Sequence, residues 1–256
     1  MTRVPDPADV TLAGELVRAA GRLALRMRHE GVETETKTSL TDVVTAADRA
    51  AEEIVVRRLA SERPADGVLG EEGASSPGTS GRTWVIDPVD GTYNFVQGLS
   101  WWCSALALTD GEDLLLGAIY HPADDALYVG GPGLPSTRNG VPIEPIADRP
   151  LSESCLTTYL HPPFFGDAVG DAFTTVASRA ATLRMLGSGS MDLTAVAQGR
   201  LHASCQHSVP PWDRLPGAAL VLGAGGTARE VAAAGRTWAV AGAPTAVDEI
   251  CAALTR

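Results

Sequence analysis

Two short apolar runs, each stopped abruptly by acids, constrain this chain more than any other feature. Gly67–Gly70 gives way to Glu71-Glu72-Gly73, and residues 83–86 give way to Asp87-Pro88-Val89-Asp90-Gly91. Short apolar runs bounded by turn-forming residues read as strands. Neighbouring strands of this kind would deliver Glu71, Asp87 and Asp90 to adjacent loops. Carboxylates a few ångströms apart oppose one another's ionisation unless a cation neutralises them. Ligands that are all oxygen favour a hard divalent ion, Mg²⁺, Mn²⁺ or Ca²⁺, over zinc.

Pro88 fixes the backbone between the two aspartates, so that both side chains and the Val89 carbonyl could face one side, while Gly91 permits close approach. A helix starting near Asp90 would add the N–H groups of Gly91 and Thr92 as an anion cradle. Each residue also has an ordinary structural reading. Asp-Pro-x-Asp-Gly is good turn chemistry, Glu71 and Glu72 are acids of a kind usually solvated, Asp48 completes a capping box with Thr45, and Asp213 is a plausible N-cap.

The remaining chain organises around these strands. Asp6-Pro7 reads as N-cap and first helical residue of a helix with Leu12, Leu16, Ala19, Leu23 and Met27 on its apolar stripe, ending at Gly31. A second helix after Thr45 buries Ala47, Ala51, Ile54, Val55 and Leu59. Strands at 103–108, 114–120 and 126–129, separated by turns and followed by Arg138-Asn139-Gly140, imply an antiparallel sheet. Residues 139–154, with three prolines, form a seam. Beyond it, strand-like 155–159, 183–186 and 201–204 alternate with helical 167–181, 190–198 and 215–222, and a last helix covers 246–254. The expected halves are therefore 1–145, α+β with an antiparallel sheet and the acidic loops, and 146–256, α/β, packed as one unit.

Composition narrows the class of partner. At 256 residues with 45% hydrophobic content the chain can bury a large core, and 27 glycines with 17 prolines argue against a long helical bundle. Twenty Lys+Arg against 31 Asp+Glu leave a formal charge of −11, a field that repels nucleic acids and anionic membranes. Without a basic leader followed by an apolar segment, or about 20 consecutive apolar residues, the expectation is a cytoplasmic protein that does not span a membrane. Cys103, Cys155, Cys205 and Cys251 lie too far apart for a zinc knuckle or redox pair and read as free thiols. The five histidines show no metal spacing and receive no role. Lys37 is the chain's only lysine, and Ser188, Gly189 and Ser190 could offer polar groups to a substrate.

Taken in order, Asp42-Val-Val-Thr-Ala-Ala-Asp48, Gly70-Glu71-Glu72, Trp84-Val-Ile-Asp-Pro-Val-Asp-Gly-Thr-Tyr-Asn-Phe95 and Trp212-Asp213 resemble the inositol monophosphatase family, over residues 37–217. The resemblance implies an α/β fold, an alternating αβαβα sandwich, and a Mg²⁺-dependent, often lithium-sensitive phosphatase that is commonly a homodimer. By motif position it assigns Glu71, Asp87 and the Val89 carbonyl to a first ion and Asp87, Asp90 and Asp213 to a second, with a weaker third ion near Glu71. Asp48 and Thr92 would orient and deprotonate water. Asp90, Gly91 and Thr92 would hold phosphate, and Lys37, Ser188, Gly189, Gln206 and Asp213 would face the substrate.

The sequence departs from the family at the substrate wall. Gln206 stands seven residues before Asp213, where inositol-hydrolysing members carry a glutamate, and Pro216 falls in the expected first turn of the following helix. An amide can hydrogen-bond a polyol without attracting an aminated one. The resemblance thus implies hydrolysis of a small polar phosphate, inositol 1-phosphate by default. Histidinol-phosphate phosphatase is the nearest rival, with 3′-nucleotidase or fructose-bisphosphatase behind it. Some relatives are instead non-catalytic partners in transcription or ribosome-assembly complexes, an alternative of a different class.

Overall fold

Asp6 starts the first helix by accepting the Ala8 N–H at 2.8 Å, Pro7 takes the first helical position, and Gly31 ends it with φ of +94°. The computed structural model describes residues 4–31, 34–39 and 42–255, with 34–39 and 42–45 described by backbone alone. Helix α1 (Pro7–Glu30) leads to the hairpin β1 (Thr34–Ser39) and β2 (Asp42–Thr45), helix α2 (Ala46–Glu62), and strands β3 (Gly67–Gly70), β4 (Ser75–Ser76) and β5 (Arg82–Asp90). A short helix α3 (Thr92–Val96) follows, then β6 (Cys103–Asp110), β7 (Asp113–His121), β8 (Ala126–Gly131), β9 (Leu134–Arg138) and β10 (Val141–Pro142). The second half comprises β11 (Cys155–Thr157), α4 (Ala168–Ala177), β12 (Thr182–Arg184), α5 (Gly189–Ala197), β13 (Ala203–His207), α6 (Pro211–Gly223), β14 (Thr227–Ala233), β15 (Arg236–Gly242) and α7 (Pro244–Leu254).

These elements stack as five layers. The first sheet, in the order β10-β9-β8-β7-β6-β5-β3-β4, is antiparallel except where β3 runs parallel to β5. Its outer face packs on α1 and α2 through Leu12, Leu16, Leu59, Trp84 and Leu106. The inner face packs on α5 and α6, which lie between it and the second sheet, β12-β11-β13-β15-β14. That sheet's far face packs on α4 and α7 through Cys205, Trp238, Val240, Val247 and Ile250. The structure is therefore the alternating αβαβα sandwich expected from sequence. Among the described residues no helix is long and apolar enough to cross a membrane. All four cysteines are free, Cys103 and Cys205 buried and the other two half-buried.

Several expectations shift in detail. The buried stripe of α1 is Leu12, Leu16, Ala20 and Ala24, while Ala19, Leu23 and Met27 are half-buried. A line of small residues brings the helix this close: a Cβ on Gly21 would meet the Tyr120 ring at 2.7 Å. The sequence pattern marks none of β1, β2, β4, β9, β10, β14 and β15. Helix α6 begins at Pro211 rather than at 215, because Pro210 is extended at the N-cap and Pro211 has its φ preset for the first helical residue. Pro216 accordingly lies inside the helix, past its first turn.

Candidate active site

The acids are gathered by the one parallel pairing in the first sheet. Gly70 pairs with Ile86, and the Glu71 N–H donates to the Ile86 carbonyl at 3.1 Å, so Glu71, just past the end of β3, lies beside Asp87, which β5 carries on to Asp90 rather than ending at residue 86 as the sequence suggested. Asp90 arrives by a different device. Along β5, Asp87 pairs with Ala105 and Asp90 with Cys103, three steps against two on β6. Simple alternation would aim residues 87 and 90 at opposite faces. The extra residue is a β-bulge that turns them to the same side. Pro88 sits in it without a ladder N–H, and its carbonyl accepts the Ser104 hydroxyl at 2.6 Å.

From the second half, the first turn of α6 brings Asp213 to the same place. Carboxylate oxygens of Asp87, Asp90 and Asp213 lie within 4.8 Å of one another, the first two residues buried. Burial, and then the charges of Glu71, Asp90 and Asp213, push the Asp87 carboxyl well above the usual carboxylate range. Burial also raises Asp90, against the lowering effect of its hydrogen bonds from Ser190, whose N–H donates to Oδ2 at 2.5 Å. Asp87 Oδ1 is buried with no hydrogen-bond partner among the described residues. An orphan acceptor inside an all-oxygen cluster of negative charge suits a hard divalent cation.

Thr92 and Asp48 are brought together as expected: the Thr92 hydroxyl lies 3.0 Å from Asp48 Oδ1 and 2.9 Å from the Val89 carbonyl, its single proton facing two acceptors. Gly91, with φ of +92°, separates β5 from α3, and a Cβ there would meet Ser188 Cβ at 3.0 Å and the Trp101 carbonyl at 3.1 Å. Only glycine adopts that backbone and clears those neighbours without strain. A cleft of about 380 Å³, open to solvent, is lined by Glu71, Asp87, Val89, Asp90, Gly91 and Thr92 on one side and by Ser188, Gly189, Gln206 and Asp213 on another. Lys37 lies on β1, and its side chain is outside the described residues.

Four residues at the site had no assigned role. Glu52, buried on α2, accepts the N–H groups of Glu72 and Ala74, each at 3.0 Å, and so fixes the loop carrying Glu71. Its spacing of four from Asp48 places both on one helix face, the signal that could have found it. Asn94 donates to the carbonyls of Trp101 at 2.8 Å and Leu186 at 2.7 Å, tying α3 to the loop before α5. Asp192 accepts the Trp101 indole N–H at 2.8 Å and the Thr157 hydroxyl, and burial pushes its carboxyl up to about 7. His161, given no role from sequence, lines the cleft beside Tyr159, with their rings 4.7 Å apart.

Fold and acids together define a class, the phosphatases of this layered sandwich. A sequence model of the inositol monophosphatase family matches residues 6–253, and the chain belongs to that family. It is 32% identical over 200 residues to the inositol-1-monophosphatase of Rhizobium meliloti, covering 76% of this chain and 74% of that one. It is 30% identical over 212 residues to the fructose-1,6-bisphosphatase/inositol-1-monophosphatase of Thermotoga maritima, covering 83% and 80%. Among solved structures, the extragenic suppressor protein suhB of Bartonella henselae superposes with a TM-score of 0.87 at 26% identity, over 97% of this chain and 99% of the other.

Proposed function

We propose that this phosphatase is a phosphomonoesterase dependent on Mg²⁺, or Mn²⁺, acting on a small polar ester with inositol 1-phosphate as the default substrate. The observation that carries the reading is the cluster of Asp87, Asp90 and Asp213 with the buried, unpartnered Asp87 Oδ1. Glu71, Asp87, Asp90, Asp213 and the Val89 carbonyl would hold two or three ions. Such ions supply Lewis acidity and charge neutralisation for in-line transfer of a phosphoryl group to water.

The protein's own groups have separable tasks. Asp48 takes a proton through the Thr92 hydroxyl, whose position between two acceptors lets it orient water. The N–H groups of Gly91 and Thr92 face the phosphoryl oxygens. Ser188, Gly189 and Gln206 bound the leaving alcohol, and the task of Lys37 would be to screen and position anionic groups. Residues 1–145 and 146–256 act as one catalytic unit, since acids from both halves line one cleft. The family supplies the remaining expectations of lithium sensitivity, a cytoplasmic setting and a homodimer.

The test is phosphate release from inositol 1-phosphate, histidinol phosphate, adenosine 3′,5′-bisphosphate and fructose 1,6-bisphosphate with Mg²⁺, Mn²⁺ or EDTA. Metal-dependent turnover of at least one ester, lost on chelation, is expected. Turnover at buffer background for every ester with either metal would sink the reading and favour a binding role.

A further inference from the structure

Beside the cleft lies a second cavity of about 210 Å³, between α6 and the second sheet. Gly189, Asp192, Gln206 and Asp213 line both spaces, so this cavity adjoins the catalytic cleft at the place where the leaving alcohol would sit.

Its origin is visible in the strand register. Burial alternates along β13, with Ala203, Cys205 and His207 facing α4 and α7, and Ser204 and Gln206 facing α5 and α6. Ser204 pairs with Ala241, Gln206 with Ala239, and Ala241 with Ala228 on β14. Directly paired residues share a face. With Glu230, which pairs with Ala239, six positions share this face; four of them carry nothing longer than a serine, and there the floor lies low beneath the helices. Above it are Leu193, buried on α5, and the half-buried Leu215 and Leu222 of α6. At the outer end Arg214 pairs with Glu230 at 3.3 Å.

We infer that this cavity receives an apolar extension of the substrate's alcohol, so that the site takes phosphomonoesters of amphipathic alcohols as well as compact polyols. The inference rests on the phosphomonoesterase reading above. Its occupant follows from position: a phosphate seated at the Gly91 and Thr92 N–H groups directs its alcohol toward Gly189 and Gln206, and the space beyond them is lined largely by alanine, leucine and valine, with Arg214, Arg229 and Glu230 also on its wall. Gly189 sets the width of the connection. A Cβ there would lie 3.2 Å from the Asp213 carbonyl, so the glycine lets α5 and α6 approach while leaving no side chain between the two spaces.

The experiment compares ethyl, butyl and hexyl phosphate, whose leaving alcohols are of nearly equal acidity, with Mg²⁺ present. Each methylene fully buried in an apolar space favours binding roughly fourfold. With partial burial, kcat/KM is expected to rise at least tenfold from ethyl to hexyl. Ala239→Leu and Ala228→Leu, which raise the floor without touching the acids, should remove that rise and leave ethyl phosphate within twofold of the parent. No turnover of any ester, inositol 1-phosphate included, overturns the phosphomonoesterase reading itself. Turnover without a chain-length dependence, or with one that both leucine variants retain, overturns only the present inference. So does a variant that changes the sedimentation coefficient and not the selectivity, which would give the cavity to a second copy of the chain. A crystal of the unaltered protein with hexylphosphonate needs no variant. Its alkyl chain should lie against Leu193 and Ala239, and a chain lying against Tyr93 and Met185 at the cleft mouth overturns the inference.

Discussion

On the wall of the cleft built from α2, β3 and β5, main chain and carboxylates tie one another down: Glu52 holds the N–H groups of Glu72 and Ala74, the β-bulge sets Asp87 against Asp90, and the Ser190 N–H, from the buried start of α5, clamps Asp90. The wall built from β13 and the start of α5 offers instead a half-buried amide, Gln206, and a glycine, Gly189, over a floor of alanines. Each follows from what it has to hold. Buried like charges are tolerable only where hydrogen-bond donors or a cation offset them. A wall that only borders a neutral alcohol is free of that constraint, and its residues can be small without exposing an unpaired charge.

The comparison breaks first at Asp87. Asp87→Asn should lower kcat/KM at least ~10³-fold, about 4 kcal/mol of transition-state stabilisation. In EDTA the same variant should melt at or above the temperature of the parent, because it removes a buried carboxyl whose ionisation is opposed by burial and three acidic neighbours. A lower melting temperature would mean that the charge stabilises the fold without a metal.

Asp192 stands on the permissive side but is held like the acids opposite. Its carboxyl is pushed up to about 7. A carboxyl raised in the folded state binds its proton more tightly there than in the unfolded chain. Its contribution to stability is therefore complete below the usual carboxylate range, near pH 4, and is lost as pH rises toward 7, with a slope of up to about 1.4 kcal/mol per pH unit. Denaturant titrations in EDTA should show that decline in the parent and a flatter profile in Asp192→Asn. Equal slopes would show that Trp101 and Thr157 hold an ionised carboxylate.

Glu52→Ala sharpens the contrast without touching an acid at the centre. Removal of groups that orient metal ligands commonly costs about 10–100-fold, and the Mg²⁺ concentration for half-maximal activity should rise in that range. An unchanged Mg²⁺ requirement would mean that the Glu71 loop holds its shape without the carboxylate. Gln206→Glu should give the smallest effect, a change of less than about tenfold in kcat/KM between inositol 1-phosphate and an aminated ester. An effect as large as that of Asp87→Asn would remove the distinction between the walls.

Legibility in the sequence followed the range of the interactions. The start of α1 and the Asn139-Gly140 turn, with both residues at positive φ, are set by neighbours a few positions apart, and each was readable, whereas β5 runs past residue 86 to Asp90 because β6 goes on pairing with it. The β-bulge was not, because it exists only relative to the register of β6. The β14–β15 hairpin was hidden by composition: it turns at Ala234-Gly235 within Ala-Ala-Ala-Gly, a string with no β-branched residue to mark a strand end. Motif order drew Asp48, Glu71, Asp87, Asp90 and Asp213 together although more than 160 positions separate the first from the last. It could not reveal Glu52, Asn94 or Asp192, whose importance lies in the partners the fold brings to them.

The bond from Ser190 to Asp90 joins residues 100 positions apart. During synthesis the acids at 71–90 therefore leave the ribosome well before the segment that clamps them, and Asp213 follows later still. Long loops must close before such contacts reward the chain. The first sheet can take shape around its own core of Trp84, Leu106 and Tyr120 while its charged edge still faces water, where repulsion among the carboxylates costs least. Burial of the acids is then postponed to the step that docks α5 and α6. The acid cluster is thus complete only when α5 and α6, which carry Ser190 and Asp213, are docked against the first sheet.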